Sequence, residues 1–244
     1  MMVKKMVNVL NVDFVSISSN ELVNELSERI KLSQKTFIVT ANPEIVMYGN
    51  KDSDYLQTIN SADYVIADGY GIILGSKILG NELPERIAGF DLMNALLAKG
   101  NEEKWSVYFL GAKEEVINKA VENIQEQYPE LNIVGWQNGY GDVHSEELKK
   151  SIASKKPDLI FVGLGFPKQE KWIAESISLF KKGIFMGVGG SFDVWAGAVK
   201  RAPETWQKLH LEWLYRLIQE PKRWRRMMVL PLFVLKVIKE RFKN

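Results

Sequence analysis

The sequence contains no cysteine among its 244 residues. This absence excludes disulfide bonds, thiolate metal sites and a cysteine nucleophile, and it favours an intracellular location. Only two histidines are present, His144 and His210, and they lie far apart in the sequence. A histidine-rich metal site is therefore not expected, and each histidine is predicted to be a surface or packing residue.

Long hydrophobic runs are also absent. The longest apolar stretch, residues 227–238, is interrupted by Lys236 and is too short to cross a bilayer, and no apolar signal-like run follows Met1. The length and the hydrophobic content of 46% suit one large α/β domain, or such a domain with an appendage. We therefore predict a cytoplasmic protein.

Positive charge is unevenly distributed along the chain. Residues 201–244 carry 11 Lys or Arg against 4 Asp or Glu, a net charge of +7, whereas residues 1–200 carry 21 against 26, a net charge of −5. A basic terminal segment predicts a phosphate-bearing partner, which is either nucleic acid or an anionic membrane surface. No nucleic-acid-binding motif accompanies these charges, so the membrane surface is the predicted partner. We predict that the protein associates peripherally with the inner face of the cell membrane.

Short apolar runs alternate with amphipathic segments in the first four-fifths of the chain. The predicted strands are residues 7–10, 15–17, 36–40, 64–67, 107–110, 133–136, 158–162 and 184–186. Strands that alternate with helices at this spacing predict an α/β fold with a Rossmann-like, mostly parallel sheet and helices on both faces. We assign this domain to residues 1–198 and a basic, helical appendage to residues 199–244.

Six predicted strands end in glycine or polar residues, and the carboxyl ends of parallel strands open on one edge of the sheet. These ends are residues 40–42, 68–69, 111, 139–141, 163–165 and 187–190. Glycine lets the backbone approach a ligand closely, and two of these loops are suited to cradle a diphosphate. The predicted ligand is therefore a nucleotide.

Two of the polar strand ends have a structural as well as a functional explanation. Asp68 follows the apolar run 64–67 and precedes Gly69, so it is either a carboxylate at the mouth of a ligand site or simple turn chemistry. Asn42 precedes Pro43 and Glu44, which suits a helix N-cap, and helix N-termini also bind anions.

Two other short patterns suggest different chemistry. Gly-x-Gly occurs at residues 163–165 and 187–189, but neither copy continues to the full dinucleotide fingerprint, so a nicotinamide cofactor is not expected. Asp52-Ser53-Asp54 resembles the metal-binding Asp-x-Asp of many sugar-nucleotide transferases, but it lies in a polar helical stretch and is predicted to be a solvated face. We predict neither a metal site nor a cofactor.

Six motifs occur in a specific order along the chain. They are Thr40-Ala41-Asn42-Pro43-Glu44, Ala67-Asp68-Gly69-x-Gly71, Arg86-x-x-Gly89-x-Asp91, Phe109-Leu110-Gly111, Val162-Gly163-Leu164-Gly165-x-Pro167-x-Gln169-Glu170-x-Trp172 and Gly187-Val188-Gly189-Gly190-x-Phe192-Asp193. In this order they resemble the bacterial WecG/TagA/CpsF glycosyltransferase family, over nearly all of residues 5–244. The likeness is greatest to the branch of wall teichoic acid synthesis.

This resemblance implies an inverting glycosyltransferase that needs no metal. The implied donor is UDP-N-acetylmannosamine, and the implied acceptor is the 4-hydroxyl of N-acetylglucosamine on undecaprenyl diphosphate. Two alternatives stay open, namely a related transferase that uses another UDP sugar and a non-catalytic, membrane-bound nucleotide sensor. The sequence leaves the oligomeric state open, and a homo-oligomer is one option.

Direct displacement requires one base to take the proton of the acceptor hydroxyl, and Asp68 is the predicted base. Glu44, Asp91 and Asp193 are its rivals. The resemblance implies that Thr40, Asn42 and Gln169 line the sugar and diphosphate, and that Asp193 contacts the uracil or ribose.

The glycine-rich loops complete the predicted substrate site. They contribute Gly163, Gly165, Gly189 and Gly190. Tyr140, between two glycines, either stacks on the uracil or is a turn aromatic packed on the core.

The departing UDP gains negative charge, so a cation must stabilise it when no metal does. The resemblance places Arg216, Arg223 and Arg226 of the appendage in the active site, and guanidinium groups bind diphosphates bidentately. Tryptophan and apolar residues between the cations of residues 206–237 suit an amphipathic surface in a bilayer interface. Packing of helices in the core is the competing explanation, and both can hold on different faces.

Overall fold

The computed structural model describes residues 4–221 and 224–243, and of residues 225 and 226 it describes only the backbone. The strands of this part of the chain are β1 (Met6–Val9), β2 (Val12–Val15), β3 (Lys35–Ala41), β4 (Tyr64–Ala67), β5 (Ser106–Gly111), β6 (Asn132–Gln137), β7 (Leu159–Gly163) and β8 (Gly183–Gly187).

The helices lie between and after these strands. They are α1 (Ser19–Lys31), α2 (Pro43–Gly49), α3 (Ser53–Asn60), α4 (Tyr70–Ile78), α5 (Gly89–Glu103), α6 (Glu114–Gln127), α7 (Glu146–Ser154), α8 (Lys168–Ser176), α9 (Ser191–Trp195), α10 (Glu204–Lys208), α11 (Glu212–Gln219), α12 (Trp224–Met227) and α13 (Val229–Arg241). A 3₁₀ turn, Ile177–Leu179, precedes β8.

Within the described residues, six strands form a parallel sheet in the order β4-β3-β8-β7-β5-β6. Alternate side chains of each strand point to opposite faces and enter two separate cores. One core includes side chains of α2, α3, α4, α7, α8 and α13, and the other includes side chains of α1, α5, α6 and α9. The predicted α/β fold, with helices on both faces of a parallel sheet, is confirmed.

The first two strands form a separate antiparallel hairpin. Val9 pairs with Val12, and the two residues between them, Leu10 and Asn11, have φ values of 52° and 65°. Two positive φ values are typical of a type I′ turn, whose twist matches that of the strands it joins. The prediction that the second strand covers residues 15–17 was wrong, because this turn lacks glycine and was not recognised in the sequence.

The last helix returns to the α/β domain. Phe233 and Val237 are fully buried and pack against α4, where a Cβ added at Gly75 would lie 3.1 Å from the Phe233 ring. Leu232 and Leu235 lie on the outer face of the same helix and are exposed. The predicted core packing is therefore confirmed for one face of this helix, and the other face exposes leucines, whose contact with a bilayer stays a prediction. None of the helices in the described residues is long and apolar enough to cross a membrane.

Candidate active site

A cavity of about 940 Å³ opens at the carboxyl ends of β3, β4 and β8. Its lining includes Thr40, near the end of β3, and Asp68 and Gly190, which follow β4 and β8. Residues of α11, α12 and α13 also line it. The cavity therefore lies at the sheet edge where ligands of open α/β folds bind, between that edge and the C-terminal helices.

Thr40 and Asp68 are brought together at this edge. Thr40 lies opposite Ile66 in the parallel register, and Asp68 follows two residues later, so both side chains lie on the same face of the sheet. A Cβ added at Gly89 would lie 3.2 Å from Thr40 Oγ1 and 3.4 Å from Asp68 Oδ2. Glycine at the first residue of α5 thus lets the helix N-terminus approach both side chains.

Asn42 performs the capping role that its sequence context predicted. Its side-chain oxygen accepts a hydrogen bond of 3.1 Å from the backbone N–H of Ile45, and Pro43 occupies the first turn of α2. Asn42 also lines the cavity. The substrate-binding role predicted for Asn42 therefore remains compatible with the capping role.

The environment of Asp68 suits a general base near neutral pH. Its side chain is 27% exposed, towards the cavity. Burial raises the pKa of Asp68 to about 6, although Arg86, Arg216 and the Gly89 backbone N–H lower it and Glu212 raises it. A carboxyl with a pKa near 6 is ionised at pH 7 and is a stronger base than an ordinary Asp.

Two arginines and one buried glutamate adjoin Asp68. Glu212 is 9% exposed, and its two carboxylate oxygens accept hydrogen bonds of 2.8 Å from Arg86 Nη2 and 2.7 Å from Arg216 Nη2. Arg86 Nη2 lies 3.7 Å from Asp68 Oδ1. Burial disfavours ionised Glu212, but the two guanidinium groups outweigh this effect and lower its pKa. Glu212 therefore orients both arginines beside Asp68.

Further contacts connect the C-terminal segment to the cavity rim. Arg201 binds Asp91 through both guanidinium Nη atoms, at 2.6 and 2.7 Å. His210 stacks on Tyr70 with ring centroids 4.0 Å apart, and both residues line the cavity. His210 is therefore a packing residue, as predicted, and it packs on an aromatic ring at the cavity.

The loop after β8 is supported from behind by Gln169. Its amide oxygen accepts a hydrogen bond of 3.0 Å from the Gly189 backbone N–H, and its amide nitrogen donates to Glu170 Oε1 at 2.7 Å. Gly190 and Asp193 line the cavity, whereas Gln169 is buried and is not part of the lining. In this arrangement Gln169 holds the loop.

A second crevice is expected between the ends of β5 and β7. The helix that follows β5 packs on one face of the sheet and the helix that follows β7 packs on the other, which makes this point a topological switch. A Cβ at Gly111 would lie 2.4 Å from the Gly163 carbonyl, and a Cβ at Gly163 would lie 2.6 Å from the Phe192 ring. Close backbone packing thus explains glycine at both positions.

Two predicted ligand residues at the crevice are open to solvent. Gly165 has a φ of 74°, and a Cβ there would meet no atom within 4 Å. Tyr140 is 76% exposed and does not line the cavity over Asp68. Of its two predicted environments, packing on the core is wrong, and the ring is accessible for stacking on a base.

Two predicted arginines cannot be placed. Arg223 lies outside the described residues, as does the side chain of Arg226.

Asp52, from the Asp-x-Asp pattern, caps α3 by accepting a hydrogen bond of 3.0 Å from the Tyr55 backbone N–H. The part of the chain that the structure describes holds no cluster of three or more His, Asp or Glu residues suited to a metal ion.

Sequence reasoning missed Arg86 and Glu212 as members of the site. Arg86 begins one of the recognised motifs, which was an available signal. Glu212 gave none, because its position beside Arg86 depends on a contact between residues 126 positions apart.

Known proteins are similar in sequence to this chain over nearly its whole length. Residues 7–244 match the model of the "Glycosyl transferase WecG/TagA/CpsF family". Three similar proteins are named N-acetylglucosaminyldiphosphoundecaprenol N-acetyl-beta-D-mannosaminyltransferase. The Bacillus spizizenii W23 protein is 42% identical over 93% of this chain and 88% of its own length. The Bacillus subtilis 168 protein is 41% identical over 94% and 90%, and the Staphylococcus aureus MW2 protein is 40% identical over 97% and 94%. The chain therefore belongs to the WecG/TagA/CpsF glycosyl transferase family.

Proposed function

We propose that this protein transfers N-acetylmannosamine from UDP-N-acetylmannosamine to the 4-hydroxyl of N-acetylglucosamine on undecaprenyl diphosphate. The reaction inverts the anomeric carbon, gives a β-1,4 linkage and belongs to the synthesis of the wall teichoic acid linkage unit. The observation that carries this proposal is the shared enzyme name of relatives 40–42% identical over 93–97% of the chain.

The geometry around Asp68 supports a direct displacement. In the proposed step, Asp68 takes the proton of the acceptor 4-hydroxyl while that oxygen bonds to the anomeric carbon of N-acetylmannosamine. The bond from this carbon to the diphosphate oxygen breaks, and UDP leaves with the electron pair. The exposed part of the Asp68 side chain faces the cavity, so the acceptor can reach it. Thr40, which also lines the cavity, is suited to position the sugars.

Arg216 is the proposed cation for the leaving group. Its side chain is 48% exposed and lines the cavity, so a diphosphate can replace part of its contact with Glu212. A guanidinium group next to the departing diphosphate stabilises charge that is largest in the transition state. We propose the same role for Arg223 and Arg226.

We propose that the uridine diphosphate part of the donor extends from the cavity to the crevice between β5 and β7. The loop after β8 adjoins both places, because Gly190 and Asp193 line the cavity while the Gly189 carbonyl lies beside Gly163. In this arrangement Gln169 acts indirectly on the donor, because it fixes the loop after β8. Tyr140 is exposed and is accessible to stack on the uracil.

The C-terminal segment, residues 199–244, is the proposed membrane-docking appendage. Its large exposed apolar residues include Trp213, Ile218, Trp224, Leu232, Leu235 and Phe242. The net charge of +7 over residues 201–244 suits an anionic membrane surface, and the lipid-linked acceptor requires the enzyme to work beside a membrane. We propose a peripheral location on the cytoplasmic face.

A donor panel tests the proposed function. The protein is incubated with a short-chain lipid-linked N-acetylglucosamine and, in turn, with each of several UDP sugars, and released UDP is measured. We expect UDP release with UDP-N-acetylmannosamine and a product that is larger by one N-acetylhexosamine residue. UDP release with a different UDP sugar, and none with UDP-N-acetylmannosamine, contradicts the donor assignment. Binding of UDP without any transfer favours the nucleotide sensor.

Replacing Glu212 with Gln tests how the two arginines are oriented. The change removes a negative charge that raises the pKa of Asp68, so the pH below which kcat/KM falls is expected to move lower. At pH 8, where Asp68 is ionised in both proteins, looser arginine placement is expected to lower kcat by up to about 10²-fold.

The matched control for this variant is Glu204→Gln, a change at an exposed glutamate of α10 that pairs with Lys208. This control should retain the wild-type pH profile and kcat. If the pH below which kcat/KM falls is unchanged or higher in Glu212→Gln, the proposed electrostatic coupling between Glu212 and Asp68 is contradicted.

A further inference from the structure

The wall of the cavity has a charged part and an apolar part. Near Asp68 the wall contains Arg86, Glu212 and Arg216. The part of the wall formed by residues 227–234 contains no charged or polar side chain, and seven of these eight residues line the cavity. One continuous cavity therefore joins the reacting groups to an apolar end, which we call the apolar channel.

Two helices build this channel. Leu74 of α4 lines it together with Leu230, Phe233 and Val234 of α13. The helices come close together because Gly75 leaves room for the Phe233 ring. Met227 and Met228 lie at the α12–α13 junction and provide flexible side chains that adapt to a ligand.

A charged sugar donor does not need such a channel. UDP-N-acetylmannosamine is polar throughout, whereas the proposed acceptor carries its sugar and diphosphate on an apolar isoprenoid chain. That acceptor has a polar part and an apolar part, and the cavity wall offers a charged part beside Asp68 and an apolar part at residues 227–234. Burying apolar surface of a lipid beside apolar side chains is favourable.

We propose that the apolar channel binds the isoprenoid units next to the diphosphate of the lipid acceptor. This inference rests on the proposed function, since it deepens the assignment of the acceptor. The channel guides the lipid so that its sugar reaches Asp68, and it selects a lipid-linked acceptor over free N-acetylglucosamine derivatives.

The channel is distinct from the outer, membrane-facing surface of the same helix. Leu235 is 63% exposed and is not part of the cavity wall. A substitution of Leu235 therefore alters only the outer surface, whereas a substitution of Leu74 alters the channel. Both positions are partly exposed leucines on helices, so polar replacements at the two sites are matched.

Calorimetry with soluble probes tests the proposal without any membrane or detergent. Farnesyl diphosphate, geranyl diphosphate and inorganic diphosphate are titrated into the full-length protein saturated with UDP, below the concentration at which the probes form micelles. Burying only two methylene groups accounts for about a tenfold gain in affinity. We therefore expect farnesyl diphosphate to bind at least about tenfold more tightly than inorganic diphosphate.

The two variants then locate the gain. Leu74→Gln should lose most of the preference for farnesyl diphosphate, and Leu235→Gln should keep it. Equal affinity of the wild type for all three probes, or an equal loss in both variants, overturns the proposal.

A kinetic series separates this inference from the proposed function. N-acetylglucosamine is linked through diphosphate to chains of five, ten or fifteen carbons, and kcat/KM is measured for each acceptor. We expect kcat/KM to increase with chain length, and this increase should be lost in Leu74→Gln. No transfer to any acceptor contradicts the proposed function, whereas transfer that is independent of chain length contradicts the channel alone.

Discussion

Replacing Asp68 with Asn is expected to lower kcat by about 10²–10⁴-fold and to leave the affinity for UDP little changed. The amide keeps the size of the side chain but cannot accept a proton at neutral pH. The substitution removes the group that takes the acceptor proton and leaves the groups that bind the UDP sugar. The effect should therefore appear in kcat and not in UDP affinity. Single-turnover transfer and UDP calorimetry measure the two quantities separately.

The rival carboxylates provide the internal comparison. Asp91 is held by both guanidinium Nη atoms of Arg201, so it is poorly suited to take a proton from the acceptor. Asp193→Asn and Glu44→Gln change the two rivals that line the cavity, and both are expected to have smaller effects on kcat than Asp68→Asn. The exposed Asp54 of α3 supplies a matched control, Asp54→Asn, with no expected effect. A mild loss in Asp68→Asn would transfer the role of base to another group.

Replacing Arg216 with Ala is expected to reduce kcat by about 10²–10³-fold, the usual cost of removing one preorganised group that stabilises transition-state charge. The removed guanidinium lines the cavity beside Asp68 and is exposed enough to contact the departing diphosphate. Arg216→Lys should recover only part of the activity, because an ammonium group keeps the charge but lacks the bidentate fork.

The control for Arg216 is a cation in the same segment that lies away from the cavity. Lys208 of α10 is exposed and pairs only loosely with Glu204, at 3.6 Å. Lys208→Ala should therefore retain wild-type turnover. Equal losses in Arg216→Ala and Lys208→Ala would show a general effect of positive charge in the appendage and would contradict a specific role at the leaving group.

Much of the fold could be predicted because its signals are local. The run 64–67 is apolar and ends in Asp68-Gly69, and the observed strand covers the same four residues. Asn42, Pro43 and Glu44 carried the signature of a helix N-terminus, and α2 begins at Pro43. Such features depend on neighbouring residues in the chain, so the sequence contains them directly.

The parts that could not be predicted depend on distant contacts. Arg86 meets Glu212 across 126 positions and Arg201 meets Asp91 across 110, and no periodicity encodes either pair. The polar and glycine-tipped strand ends were predicted to open on one edge of the sheet, but the sequence does not contain the strand order along that edge. The order places the ends of β3, β4 and β8 around the cavity and the ends of β5 and β7 farther along the same edge.

The central claim is that Asp68 is the base for the acceptor hydroxyl, and the pH dependence of kcat/KM tests it most directly. Asp68 must be ionised to act, and its pKa is raised to about 6 by burial. For the wild type, kcat/KM should therefore fall about tenfold per pH unit below about pH 6. The residual activity of Asp68→Asn should lack this limb. A wild-type profile that stays flat between pH 5 and 7, or a variant that keeps the same limb, would contradict the role of Asp68.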